Sequence, residues 1–487
     1  MRRAASVVIS LSAALLIGGC NHNGTNGHGG GGGNGGNGGN GGNGGNGGNG
    51  GNGGNGGNGG GGNGCVGTAC QMSCAGGGTT TLTGTVFAPN GTLPLYNAIV
   101  YIPSTTPDPF PQGATCDRCN GSVSGNPIVQ TLTGPDGTFS LPNVPVGDNV
   151  PLVVQLGKWR RSVTLANIPA CVTTPVIADN TRLPKNSMEG DIPKIAIVTG
   201  SADPMECLLL KIGMDPAEIQ EPAANTRISF FQGVNKPGTT MSANTPTGTA
   251  LYGTEATLMT YDLVMLPCEG GEYNQGTTNV GNIATYVNAG GRVFSTHYSY
   301  DWWHYANSPF EAVATWQPGQ ADDYSSPTGI QGVLDTTFPK GMAFAQWLIA
   351  AGVSAASPMG QLNIVQGRHD VSAVLGATQS WINFNTFPAN SAKETPPNVV
   401  SPGVMHLTFN TPLNAPPDDM GNPLYCGRAV FSDFHVTTDA LQAGAAGKTF
   451  PGACVTPYTL SDQEKALAFM LFDLSSCVQS DTTIPIS

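Results

Sequence analysis

Between Tyr261 and Trp303 the chain reads YDLVMLPCEGGEYNQGTTNVGNIATYVNAGGRVFSTHYSYDWW. An apolar run, Leu263 to Leu266, stops in a Cys-Glu-Gly-Gly turn. Val280, Ile283, Ala284 and Val287 then recur at helical spacing on one face. Asn288-Ala289-Gly290-Gly291 ends that helix, because glycine accepts the left-handed cap that a side chain resists. A second apolar run, Arg292 to Ser295, delivers Thr296 and His297. Strand, loop, helix and strand in this order predict two parallel neighbours. Ligands of open parallel sheets sit beyond the carboxyl ends of the strands. Cys268, Glu269 and His297 all fall there, so this stretch is where chemistry is expected.

The same pattern continues on both sides. Lys194 to Thr199 is a short buried strand, Asp203-Pro204 starts a helix, and Ile228 to Phe231 is a further strand. Met342 to Ala351 reads as an amphipathic helix, and Ser461 with Glu464 three residues on forms a capping box before another. Cys426 precedes a last strand, Arg428 to Ser432. Alternation of strand and helix predicts a doubly wound parallel sheet over 190–478. The stretches 316–339, 389–402 and 410–422 read as loops.

Upstream, over 79–183, the period changes to two. Thr79 to Phe87, Ala98 to Ile102, Thr138 to Leu141, Val150 to Gln155 and Arg161 to Leu165 alternate as half-buried strands, separated by Asn-Gly and Pro-Asp-Gly turns. Short strands with no amphipathic helix predict a small antiparallel β-sandwich.

The first 64 residues are of another kind. Arg2 and Arg3, an apolar run from Ala4 to Ile17, and Gly18-Gly19-Cys20 form a lipoprotein signal over residues 1–20, with Cys20 as the lipidated mature N-terminus. The run is short for a membrane span. Asn21 at the following position favours the outer membrane, with the folded part periplasmic or surface-exposed. Residues 21–64 are almost wholly Gly and Asn without proline, which excludes collagen and predicts a flexible tether. Its roughly 44 residues reach about 35 Å end to end. Residues 65–78 carry Cys65, Cys70 and Cys74, expected as a small knot at the start of the first domain.

Net charge is -12 with only 19 Lys and Arg, so no basic stripe exists and nucleic acid is excluded as a partner. The expected partners are a membrane, reached through the N-terminal lipid, and a carbohydrate or envelope protein. Twelve cysteines, one of them spent on the lipid, leave an odd number for an oxidising compartment. Cys116-x-x-Cys119 lies in a Gly/Asn-rich insertion and reads as structural, with Cys171 a partner for either. Cys454 and Cys477 flank the terminal helix and are expected to staple it, which leaves Cys426 as the odd thiol or as a partner for one of the other cysteines.

Two resemblances add to this reading. LTGTVFAPNGTLPLYNAIVYIP followed by TGPDGTFSLPNVPVG resembles the carboxypeptidase regulatory-like (transthyretin-like) domain, which implies a non-catalytic accessory. YDLVMLPCEGG, GGRVFSTHYSYDWW, GRHDVSAVLG and GRAVFSDFHV follow the order of class I glutamine amidotransferase-like folds, most nearly the ThuA-like branch. That implies a flavodoxin-like α/β domain, with His297, His369 and His435 at the family's three histidine positions. The nucleophilic Cys of true amidotransferases is missing from the elbow after Val293 and Phe294, where the chain has Ser-Thr-His-Tyr.

Two arrangements of the candidate residues follow. Cys268 and His297 can pair as nucleophile and base, with Glu269 or Asp301 orienting the imidazole. Alternatively Cys268 is bridged to Cys207, and this is the favoured expectation because exposed thiols seldom stay free outside the cell. His297, Asp301, His304, Asp433 and His435 match no metal-ligand spacing, so no metal or other cofactor is expected. Trp302 and Trp303 read first as core or interface; the alternative makes them, with Asp301 and His435, the candidate ligand-binding residues, their aromatic faces being suited to sugars. The favoured function is a non-catalytic binding or structural role at the envelope, toward carbohydrate. The alternative is a hydrolase or transferase acting through Cys268 and His297 or through a His-bound metal.

Overall fold

A computed structural model describes residues 71–119, 123–318, 329–385, 402–436, 448–454 and 456–485. The signal with Cys20, the tether, Cys65, Cys70 and most of the 389–402 loop lie outside the described residues. All described residues belong to one compact unit, Gly62–Ser487. The protein is a mixed α/β structure of several sheets, rich in strands and with few helices. Among the described residues no helix is long and apolar enough to cross a membrane.

Two small sheets open the chain. One has the order Thr138–Pro142, Thr81–Thr85, Thr173–Pro175; the other has Pro127–Leu132, Ile99–Pro103, Gly147–Leu156, Trp159–Ile168. The expected strands are all present, but the pairing is not purely antiparallel. Thr81–Thr85 runs antiparallel to Thr138–Pro142 and parallel to Thr173–Pro175. The chain returns to that position only after crossing the second sheet, and such a crossover is what permits a parallel pair.

The largest sheet has ten strands. Across it they run Gln361–Ile364, Ile330–Leu334, Gln379–Phe384, Gly403–Thr411, Gly427–Ser432, Arg292–Thr296, Leu263–Leu266, Ile195–Thr199, Ile228–Gln232 and Ile219–Gln220. From Gly427–Ser432 to Ile219–Gln220 every pairing is parallel. The remaining strands pair antiparallel, which departs from the all-parallel sheet the alternation predicts. The connection from Gly403–Thr411 to Gly427–Ser432 contains no helix, so it can only turn back.

The central strands are buried on both faces, as their continuous apolar runs require. Ile195, Ile197, Leu263, Met265, Phe294 and Val430 enter one hydrophobic cluster, while Ala196, Val198, Val264, Leu266, Val293, Ala429 and Phe431 enter another. Alternate residues thus serve opposite layers. Helix Thr277–Asn288 covers the second layer with Val280, Ile283, Ala284, Tyr286 and Val287. It stops before Gly290, whose φ is 118° and where a Cβ would lie 2.2 Å from Thr115 O. Helix Asp462–Ser475 covers the first layer and carries the expected capping box, Ser461 with Glu464. Helix Pro339–Ala350 begins three residues earlier than the apolar spacing suggests, because proline is tolerated in the first turn.

The first cluster also holds Leu82, Val100, Val154 and Trp159 from the small sheets, so one core runs through both parts. Trp159 meets Phe472 edge-on, Tyr96 stacks on Phe469, and Trp347 Nε1 donates to Pro94 O at 2.8 Å.

Disulfides reinforce this joint, with pairings that differ from the expected ones. Cys74 bonds Cys171, Cys116 bonds Cys426, Cys119 bonds Cys477 and Cys207 bonds Cys454. Cys116 and Cys119 therefore bind neither each other nor Cys171. Their insertion lies along the end of the chain, where Cys119 N donates to Val478 O and Val478 N to Asp117 O. That takes Cys477 away from Cys454 and uses up Cys426. Cys454 turns instead to Cys207, and Cys268 is the free cysteine among the described residues.

Candidate active site

Four neighbouring parallel strands end at one rim of the large sheet, and each hands a polar residue to it. Leu266 lies opposite Ser295, and Thr296 opposite Ser432, so their next residues come level with one another. Cys268 follows Leu263–Leu266, His297 follows Arg292–Thr296, Asp433 and His435 follow Gly427–Ser432, and Asp203 follows Ile195–Thr199. The loops approach closely: a Cβ on Gly200 would lie 2.1 Å from Cys268 O, so only glycine fits there.

The structure brings Cys268 and His297 together. Cys268 Sγ is 3.2 Å from His297 Nδ1, and Gly270 N donates to the same sulfur at 3.2 Å. His297 has φ of 42°, in the left-handed region that a non-glycine residue adopts only where its surroundings hold it. Cys268 is fully buried and His297 is 2% exposed. Burial, followed by the Asp203 charge, pushes the Cys268 thiol well above its ordinary range. Burial, followed by Arg368, His435 and His369, holds His297 well below its ordinary value. The resting pair is therefore a neutral thiol beside a neutral imidazole.

Asp203 organises the rest. Its Oδ2 accepts from Thr296 Oγ1 at 2.5 Å, and Thr296 Oγ1 accepts from Cys268 N at 3.0 Å. Its Oδ1 meets His435 Nδ1 at 2.7 Å and accepts from Val436 N at 2.9 Å. His435 Nε2 in turn lies 2.8 Å from Arg368 Nη2. A carboxylate on Nδ1 and a guanidinium on Nε2 fix the imidazole with its proton on Nδ1. His297 Nε2 stands 3.6 Å from Asp370 Oδ2, and Asp370 N donates to Asp433 Oδ2 at 2.7 Å. Burial raises Asp433 to about 7.

Other expected residues lie elsewhere. Glu269 Oε2 accepts from Asn235 N at 2.7 Å, which turns its carboxylate away from His297. Asp301 accepts from Tyr273 N, is raised to about 8 by burial, and does not orient the imidazole either. Trp302 packs edge-on against Tyr252, and Trp303 donates from Nε1 to Ser295 Oγ while packing on Phe409. Both rings are core, so neither offers a face to a sugar. His435, at 9% exposure, lies at the margin of the site. Arg368, Asp370 and the organising role of Asp203 escaped the sequence reading. Its available signal was an Asp just beyond the first strand and an Arg beside the second histidine, at the place where strand ends converge.

No known family profile matches the chain, and no curated protein does. Solved structures give remote likenesses. A cytoplasmic protein from Salmonella typhimurium aligns over 58% of this chain and 98% of its own, with 11% identity and a TM-score of 0.29. A beta-galactosidase from Rahnella sp. R3 aligns over 55% of this chain and 31% of its own, with 11% identity and a TM-score of 0.23. A type II cohesin–X-dockerin complex from Acetivibrio cellulolyticus aligns over 30% of this chain and 78% of its own, with 12% identity and a TM-score of 0.15. Likenesses this remote carry no argument about function. What fold and site define is a class: a mixed α/β protein with a buried thiol–imidazole pair at the carboxyl rim of its parallel strands.

Proposed function

We propose that the chain is an outer-membrane lipoprotein, anchored through Cys20, whose α/β part is a flavodoxin-like, amidotransferase-like hydrolase or transferase acting through Cys268 and His297. The observation that carries this reading is the free Cys268 thiol 3.2 Å from His297 Nδ1 in a chain whose other described cysteines are bridged. The favoured expectation of a non-catalytic role went with a Cys207–Cys268 bridge, whereas Cys207 bonds Cys454 and leaves Cys268 free. The strand order supports the finer fold reading. Taking Ile195–Thr199 as first, Ile228–Gln232, Leu263–Leu266, Arg292–Thr296 and Gly427–Ser432 follow in sequence and lie in space as 2-1-3-4-5. In such sheets the ligand crevice opens between the first and third strands, and these are the strands that end in Asp203 and Cys268.

The chemistry follows from the neutral pair. Cys268 Sγ attacks the carbonyl carbon of an ester or amide while its proton passes to His297. The tetrahedral adduct collapses, His297 returns the proton to the departing alcohol or amine, and a thioester remains. Water or an acceptor amine then attacks the thioester, with His297 again as base, and the thiol is restored.

The test is intact-mass measurement after iodoacetamide treatment of the native, unreduced protein, alongside hydrolysis of an activated ester panel. One adduct, located at Cys268, with ester turnover lost in C268A, is expected. A thiol that stays unlabelled, or turnover that survives C268A, returns the chain to a binding role at the envelope.

A further inference from the structure

We propose that Cys268, His297 and His435 form a zinc site, and that zinc occupancy switches the thiol off. The binding stands on geometry alone; its regulatory meaning rests on the thiol reading above. One ligand atom from each of the three side chains lies within 4.8 Å of the other two. A tetrahedral zinc with one sulfur and two nitrogen ligands, at about 2.3 and 2.0–2.1 Å, sets its ligand atoms about 3.3–3.6 Å apart, so binding draws the most distant of these atoms in by about 1 Å.

Each group is prepared for ligation. His297 Nε2, although buried, makes no hydrogen bond, Asp370 Oδ2 standing 3.6 Å away. His435 carries its proton on Nδ1 toward Asp203, which leaves the Nε2 lone pair for a metal. A carboxylate behind a ligating histidine fixes its tautomer and raises its basicity. The contact from Arg368 Nη2 marks the direction of that lone pair, and zinc replaces it. Asp203 stands behind His435, Asp370 Oδ2 lies 3.6 Å from His297 Nε2, and Asp433 Oδ2 accepts from Asp370 N, so three carboxyl groups lie close to the pair. Sulfur with imidazole selects zinc over magnesium or calcium, which take oxygen ligands. A fourth position stays open on the His435 side, the least buried of the three.

The step balances as a proton exchange: the thiol gives up its proton, sulfur binds zinc as thiolate, and no electron moves. A thiolate held by zinc is no longer free to attack a carbonyl, so the same three side chains make the site and its inhibitor's seat.

The experiment is cobalt(II) titration of the chelator-treated full chain, followed by zinc displacement. One equivalent of cobalt should release one proton per chain and give tetrahedral visible bands with a thiolate charge-transfer band, and zinc should erase both bands without further proton release. C268S should lose the charge-transfer band. D203N should weaken cobalt about 10–100-fold. A spectrum that stays that of aqueous cobalt, or a charge-transfer band that persists in C268S, overturns the site. Iodoacetamide separates the two claims. Alkylation of metal-free protein that saturating zinc prevents supports both. Alkylation indifferent to zinc overturns the switch and leaves the thiol reading standing. No alkylation in metal-free protein counts against the thiol reading, and the cobalt spectrum alone then decides the metal.

Discussion

The two rims of the central parallel strands treat ionisable groups in opposite ways. At the amino rim Arg428 Nη2 bonds Asp473 Oδ2 at 2.9 Å and Asp481 Oδ1 at 2.7 Å, while Lys340 Nζ bonds Asp473 Oδ1 at 2.8 Å. Arg292 beside them donates to Gly290 O and Cys426 O, and the Cys116–Cys426 and Cys119–Cys477 bridges close over the same end. Each of these side chains meets an opposite charge or a carbonyl, although burial still lowers Arg292 to about 10. At the carboxyl rim burial outweighs pairing: Glu206 and Asp433 are raised to about 7, Cys268 is pushed up and His297 down. Groups held neutral and close to their transfer point suit proton movement, whereas charges locked in pairs suit stability. One end of the sheet is fastened and the other is poised.

Breaking the fastened end should cost most. Arg428→Ala leaves Asp473 and Asp481 buried without their guanidinium, and about 3–5 kcal/mol of stability is expected to go in urea unfolding. A loss near that of a surface mutation would contradict the contrast between rims. Replacing Cys119 and Cys477 together by Ser should cost about 2–5 kcal/mol by the same measurement, while leaving iodoacetamide labelling of Cys268 unchanged because the bridge lies at the other rim.

The poised end should show itself in pH dependence. Glu206, raised from 4.5 to about 7 by burial, keeps its proton longer folded than unfolded. The native state therefore binds more protons between those values, and this group's contribution to stability falls as pH rises from 4.5 to about 7. Glu206→Gln removes that fall, so the variant gains on the wild type across the window; parallel stability curves for the two would sink the assignment. The smallest effect is expected at Trp303→Phe. The Nε1 bond to Ser295 is lost and the smaller ring leaves a void beside Phe409, together about 2 kcal/mol, and any glycan binding should be untouched because the ring is core.

Much of the fold was legible because it is written in local periods. Four apolar residues at 263–266, Val293 and Phe294 in the strand from Arg292, and helical spacing over 280–287 each name their element without help from the rest of the chain. The capping box at Ser461 is equally local. Chain order then placed the turns of Cys268 and His297 at one end of adjacent strands, so their meeting was legible too. The antiparallel half of the large sheet was not, because its strands carry the same apolar signature and differ only in how their connections run.

What the sequence determined alone was therefore the set of elements, the net charge of -12, and the rim where chemistry could gather. Tertiary structure alone decided which cysteine stays free, since pairing depends on which loops the packed core sets within reach of a sulfur. It also decided that Trp302 and Trp303 face inward, and that Asp203 and Arg368, some 165 residues apart in the chain, bracket one imidazole. No periodic pattern encodes such a meeting, because it arises from strand order across the sheet rather than spacing along the chain.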